Sequence, residues 1–194
     1  MHDDIQEILI TEEQIRAKVA ELGRLITQYY TGQTLLLLGT LKGAVPFIAD
    51  LSRAIDLPLE IDYMAVASYG ASTHSSGIVR IVKDLEGPIN QKHILIIEDI
   101  IDSGLTLSYL TDLLNRRNPL SLRICTLIDK ERERVKAVTI DYIGFTIPDK
   151  FVVGYGLDYA QHYRNLPYIG VLKPSVYEDA LEPQAQHQSP AERS

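Results

Sequence analysis

Ile94-Leu-Ile-Ile-Glu-Asp-Ile-Ile-Asp-Ser-Gly-Leu-Thr106 is the most informative stretch of this chain. Its first four residues are wholly apolar, as in a short strand covered on both faces. Glu98 and Asp99 follow at once. Two carboxylates at the end of a buried strand repel each other unless a hard cation such as Mg²⁺, or donating hydroxyls, neutralise them. Asp102 to Thr106 then runs into a helical pattern over 105–117, halted by Asn118-Pro119. A small, glycine-containing turn at a helix start exposes several backbone N–H groups, and Ser103 and Thr106 add hydroxyls. That is the chemistry of a phosphate cradle. Alone, the turn would suit an ordinary helix cap equally well. The acid pair and the apolar strand ahead of it favour the cradle.

Outward from this stretch, strand, loop and helix alternate. Thr11-Glu-Glu-Gln14 reads as a capping box, and Ile15, Val19, Leu22, Ile26 and Tyr29 make one apolar helical face up to Gly32. Residues 35–38 form a second buried-type strand, followed by the turn Gly39-Thr-Leu-Lys-Gly43. Residues 44–55 predict a helix with Pro46 in its first turn. Further strands are predicted at 59–68, 78–83, 122–128 and 142–145. The alternation implies an α/β domain with a mostly parallel sheet. Ligands sit beyond the carboxyl ends of such strands. Those ends are 39–43, 98–106, 129–130 and 153–164.

Composition removes several classes. One domain is the default for 194 residues, and the net charge of −7 disfavours sequence-independent nucleic-acid binding. Cys125 is the only cysteine, so no disulfide forms within the chain. The acidic start predicts no signal peptide, and no apolar run is long enough to cross a membrane. The Walker spelling, the dinucleotide fingerprint and the nucleophile elbow are absent, and the five histidines never pair at metal-ligand spacing. Residues 69–77 have the composition of a mobile loop, with His74 as a solvated loop histidine. Residues 1–177 are expected to form one domain. Residues 178–194, with Leu181 as their one large apolar residue, predict a disordered tail.

The stretch 94–106 resembles the phosphoribosyl-pyrophosphate signature of the type I phosphoribosyltransferases. With Leu41-Lys-Gly43, Asp129-Lys130, Ile147-Pro-Asp-Lys-Phe-Val-Val-Gly-Tyr155 and Leu157-Asp-Tyr159 through Arg164, it is similar to the 6-oxopurine members, the hypoxanthine-guanine phosphoribosyltransferases. The match runs over about 37–164; Ser103 stands where Thr is common. The resemblance implies the family fold: a mostly parallel twisted sheet flanked by helices, with a small hood built from the N- and C-terminal segments. It implies transfer of phosphoribose from 5-phosphoribosyl 1-pyrophosphate to N9 of hypoxanthine or guanine in purine salvage, with Mg²⁺ as cofactor. A xanthine-preferring enzyme, or a donor-sensing regulatory module of the same fold, is the alternative.

In that family pattern Glu98 and Asp99 hold the ribose hydroxyls directly or through Mg²⁺. Backbone amides of Ser103, Gly104, Leu105 and Thr106 hold the 5′-phosphate, and Asp102 acts as general acid/base near N7. Lys42 and Gly43, with the peptide before Lys42 often cis, contact pyrophosphate together with Arg164. Phe151 stacks on the purine, Val152 offers backbone groups to its edge, Lys130 donates to the 6-oxo oxygen, and Asp158 caps the purine end and reaches a second Mg²⁺ through water. A cytoplasmic homodimer or homotetramer acting on small molecules is expected, without nucleic-acid or membrane partners. The segment 69–77, with Ser68-Tyr69, is expected to be a lid over the site.

Overall fold

Leu35, Leu36, Leu37 and Leu38 are all buried, as are Ile94, Leu95, Ile96 and Ile97. Each run lies inside a sheet covered on both faces. The computed structural model describes residues 1–68, 79–131 and 134–177. A 3₁₀ turn (His2–Asp4) leads into β1 (Ile5–Ile10), α1 (Glu12–Tyr30), β2 (Leu35–Thr40), α2 (Val45–Ala54), β3 (Leu59–Ser68) and β4 (Val79–Lys83). Then follow β5 (His93–Ile101), α3 (Leu105–Asn115), β6 (Ser121–Glu131), β7 (Tyr142–Pro148), β8 (Val152–Val153), β9 (Ile169–Leu172) and α4 (Pro174–Tyr177).

Six strands form the main sheet in the order β4-β3-β2-β5-β6-β7. All pairs are parallel except β3–β4, where β4 closes one edge antiparallel. Side chains alternate across a strand. Leu35, Leu37, Leu95, Ile97, Cys125 and Leu127 therefore pack with α1 and α2 in one layer. Leu36, Leu38, Ile94, Ile96 and Ile124 pack with Leu107, Leu110 and Leu114 of α3 in the other. This is the expected parallel α/β sheet between helices. The Cys125 thiol lies in this core, and burial pushes its pKa up.

The local signals act as read. Gln14 N donates to Thr11 Oγ1 at 3.3 Å and Thr11 N to Gln14 Oε1 at 2.8 Å, closing the capping box of α1. Pro46 sits in the first turn of α2. A second, antiparallel sheet in the order β1-β9-β8 joins the start of the chain to its later part. It is the hood, and its three strands have no counterpart in the residue-level reading. Two boundaries are corrected: β5 continues through Glu98 and Asp99 to Ile101, and β6 through Asp129 and Lys130 to Glu131. These acids and this lysine lie within strands rather than past them, because Glu98 pairs with Thr126 and Ile101 with Asp129 across the two strands. The expected lid 69–77 with His74, and the tail 178–194, lie outside the described residues. Among the described residues no helix is long and apolar enough to cross a membrane.

Candidate active site

The parallel sheet brings the carboxyl ends of β2, β5 and β6 side by side. On β5, Glu98 accepts from Thr40 Oγ1 of β2 at 2.7 Å. Burial holds its carboxyl well above the ordinary range, and the neighbouring Asp99 carboxylate adds to the effect. Burial also raises Asp99, although both residues keep a partly exposed edge. Asp99 Oδ1 accepts from Ile100 N at 3.0 Å. Behind Asp99 lies Gly43, where a Cβ would meet Asp99 Oδ2 at 1.6 Å. Only a glycine lets the turn after β2 approach the acid pair this closely. In that turn the Leu41–Lys42 peptide is cis.

Beyond β5 the chain forms a cavity of 110 Å³ lined by Glu98, Asp102, Ser103, Gly104 and Thr106, among others. Gly104 is the N-cap of α3, in the left-handed region at φ 76, and no side chain caps the helix there. Among the described residues the N-cap residue contributes no side-chain hydrogen bond to the first amides of α3, which begin at Leu105. Leu105 N has only a long contact, 3.5 Å, to Ser103 Oγ. A Cβ at Gly104 would meet the Lys136 carbonyl at 2.5 Å. The exposed Asp102 lines the cavity, and the N-cap position itself is Gly104.

Arg164 and Lys42 converge from opposite parts of the chain. Arg164 Nη1 donates to the Gly156 carbonyl at 2.7 Å, and Nη2 lies 2.7 Å from Asp158 Oδ1. Gln161 Oε1 accepts from Lys42 Nζ at 3.1 Å and from Arg164 Nη2 at 3.3 Å. Gln161 joins two candidate site residues and was not singled out from the sequence. Its only signal was its place between Asp158 and Arg164. Asp158 also accepts from Gln161 N at 2.8 Å. It does not join Glu98 and Asp99 in one cage: among the described residues no three acids, histidines or cysteines gather around a point that could hold a metal.

At the other end, Lys130 is 13% exposed and its Nζ lies 3.0 Å from Asp149 Oδ1. Phe151 is 39% exposed. It stacks on Tyr177 at 4.9 Å and 23°, and meets Tyr159 edge-on at 5.8 Å. Val152 is buried on β8, the outer strand of the hood sheet, with one backbone edge outside the pairing to β9. The arrangement brings together a small polar cavity at a helix start, a partly exposed acid pair and two cations, with Lys130 and the Phe151 ring on neighbouring segments.

Comparison with known proteins agrees with this geometry. A phosphoribosyl transferase domain model matches residues 6–160. The hypoxanthine-guanine phosphoribosyltransferase of Bacillus subtilis is 57% identical over 178 residues, covering 92% of this chain and 99% of that protein. The bifunctional protein TilS/HprT of Listeria innocua is 54% identical over 179 residues, 92% of this chain, and the chain spans only 28% of its length. A hypoxanthine phosphoribosyltransferase of Staphylococcus aureus superposes with a TM-score of 0.89 at 51% identity, covering 91% of this chain and 96% of that one.

Proposed function

The chain belongs to the hypoxanthine-guanine phosphoribosyltransferases, and from that premise we propose that it transfers phosphoribose from 5-phosphoribosyl 1-pyrophosphate to N9 of hypoxanthine or guanine. The products are IMP or GMP and pyrophosphate. The observation that carries this reading is the 110 Å³ cradle at the start of α3, with Glu98 on its wall and Asp99 beside it. A sugar phosphate bound there sets its 5′-phosphate on the helix N-terminus and its hydroxyls against the two acids.

The chemistry is a displacement at C1′. N9 of the base forms the new bond while the bond to pyrophosphate breaks and its electron pair leaves with the oxygen. The protein must position the reactants, bear leaving-group charge and take one proton. Asp102 takes the proton from N7 of the purine. Lys42, Gly43 and the Arg164 guanidinium hold the pyrophosphate, for which a two-pronged donor is well suited. Lys130 donates to the 6-oxo oxygen and rejects adenine, whose 6-amino group is itself a donor. Phe151 stacks on the base, and the free backbone edge at Val152 reads its rim.

The donor set suits a hard cation. Glu98 and Asp99 are held above their ordinary range by burial, and positive charge between them lets both ionise. Glu98 and Asp99 would hold Mg²⁺, with Asp158 as the candidate for a second ion, and the bound cation would supply charge to offset that of the leaving pyrophosphate. A cytoplasmic homodimer or homotetramer is the working form we propose.

Incubation with phosphoribosyl pyrophosphate, Mg²⁺ and each free base, followed by nucleotide absorbance, tests the reading. IMP and GMP should form and AMP should not. Absence of nucleotide with every 6-oxopurine, or equal turnover of adenine, would overturn it.

A further inference from the structure

A phenyl ring has two faces, and among the described residues the one ring stacked on Phe151 is that of Tyr177. Tyr177 lies nearly parallel to it, 4.9 Å away with a 23° tilt. Tyr159 meets both rings edge-on, at 5.8 Å from Phe151 and 6.4 Å from Tyr177. Among the described residues Phe151 belongs to none of the packed apolar clusters. The residue as a whole is 39% exposed.

The other partner is anchored. Tyr177 and Val176 pack on Val153, Leu166 and Leu172 of the hood. Leu172 N donates to the Phe151 carbonyl at 3.0 Å, and Lys173 N to the Asp4 carbonyl at 2.9 Å. The backbone that presents Phe151 is thus tied to the segment that carries Tyr177. An exposed phenyl ring without such backing must lose rotamer freedom each time a base stacks on it. A ring already held between neighbours has less to lose.

We infer that Tyr177 is a positioning residue for the base: it braces one face of Phe151 so that a purine stacks on the other. The inference rests on the stacking role proposed above for Phe151. It adds an aromatic from the last described helix, α4, to the specificity end of the site. An aromatic pair of this kind corresponds to about a 2- to 12-fold effect on affinity. The effect should fall on the base alone, because neither Tyr177 nor Phe151 lines the phosphate cradle.

The test compares Tyr177→Ala and Tyr177→Phe with the unaltered full chain. Initial rates are measured with hypoxanthine varied at saturating donor, and with donor varied at saturating hypoxanthine. Tyr177→Ala should raise KM for hypoxanthine by about 2- to 12-fold and leave KM for the donor unchanged. Tyr177→Phe should leave both KM values at those of the unaltered chain. In a Phe151→Ala background, Tyr177→Ala should have no further effect on KM for the base. A fall in KM for hypoxanthine would mean that Tyr177 occupies the base's own face, and would overturn the inference. So would an unchanged KM, or an equal rise in both KM values with a lowered Tm, which marks a structural role alone. If Phe151→Ala itself leaves KM for the base unchanged, the stacking role of Phe151 fails instead.

Discussion

Gly43→Ala should damage donor use and little else. The added methyl carbon would lie 1.6 Å from Asp99 Oδ2 and 2.5 Å from its Cγ, closer than real Cβ contacts come. Backbone strain is not the cause, since Gly43 is absent from the positive-φ glycines. Either the Asp99 carboxylate rotates or the turn after β2 lifts. Rotation breaks the 3.0 Å bond from Ile100 N and moves Asp99 away from Glu98. A hydrogen bond to a charged group is worth about 1.5–3 kcal/mol, which corresponds to about a 10- to 150-fold loss of kcat/KM for the donor. The assay is initial rate with donor varied at saturating hypoxanthine, with Tm measured on the same samples. Because the clash is with one side chain, the two substitutions should not add: Gly43→Ala in an Asp99→Ala background should cost nothing further. Unchanged kcat/KM in the single variant, or full additivity in the double, would refute the steric argument.

Asp102→Asn should lower kcat by about 10²–10⁴-fold with KM for the donor retained, since the amide keeps the size but cannot take the proton; near-normal kcat removes Asp102 from that role. Lys130→Gln should cost about 1.5–3 kcal/mol in kcat/KM for hypoxanthine, as measured by steady-state kinetics, because a charged donor becomes an ambivalent amide; an unchanged value would leave Lys130 as the ion-pair partner of Asp149 only. The Tyr30 hydroxyl is buried without a hydrogen-bond partner among the described residues. Tyr30→Phe, followed by urea unfolding, should therefore leave stability unchanged or raise it by up to about 2 kcal/mol, whereas a clear loss would show that the hydroxyl is satisfied. Arg117 bonds both oxygens of Asp84, at 2.8 and 2.7 Å, and these bonds hold the Asp84 carboxyl below its usual range. That stability is present above the unfolded Asp value, about 3.9, and is lost as pH falls through the lower folded value. Arg117→Gln should destabilise slightly near neutrality, by less than about 1 kcal/mol for so exposed a pair, and the two unfolding curves should converge in acid; a gap that persists at low pH would exclude the pair as its source.

Most of the sheet was legible in the chain itself. The runs 35–38 and 94–97 are apolar at every position, which only a strand covered on both faces tolerates, and each lies inside the main sheet. The hood strands were not legible. β8 has two residues and β9 four, too few for a period to register. β9 becomes a strand by pairing with β1 at the opposite end of the chain, and β8 by pairing with β9.

The candidate site divides along the same line. Local order sufficed for the acid pair, for the turn at 102–106 and for Gly104, because strand, turn and helix start are consecutive there. Contacts between distant segments were decided by tertiary structure. Gln161 bridges Lys42 and Arg164 only because the loop after β8 folds back over the end of β2. Gly43 is required by Asp99, which lies on another strand. Tyr177 reaches Phe151 only through the pairing of β9 with β8. Composition and local pattern, which act over a few residues, marked most strands of the main sheet, the acid pair and the turn at the start of α3. Which residues back, bridge and brace that chemistry depends on close approach between segments far apart in the chain, and only the packed fold sets those distances.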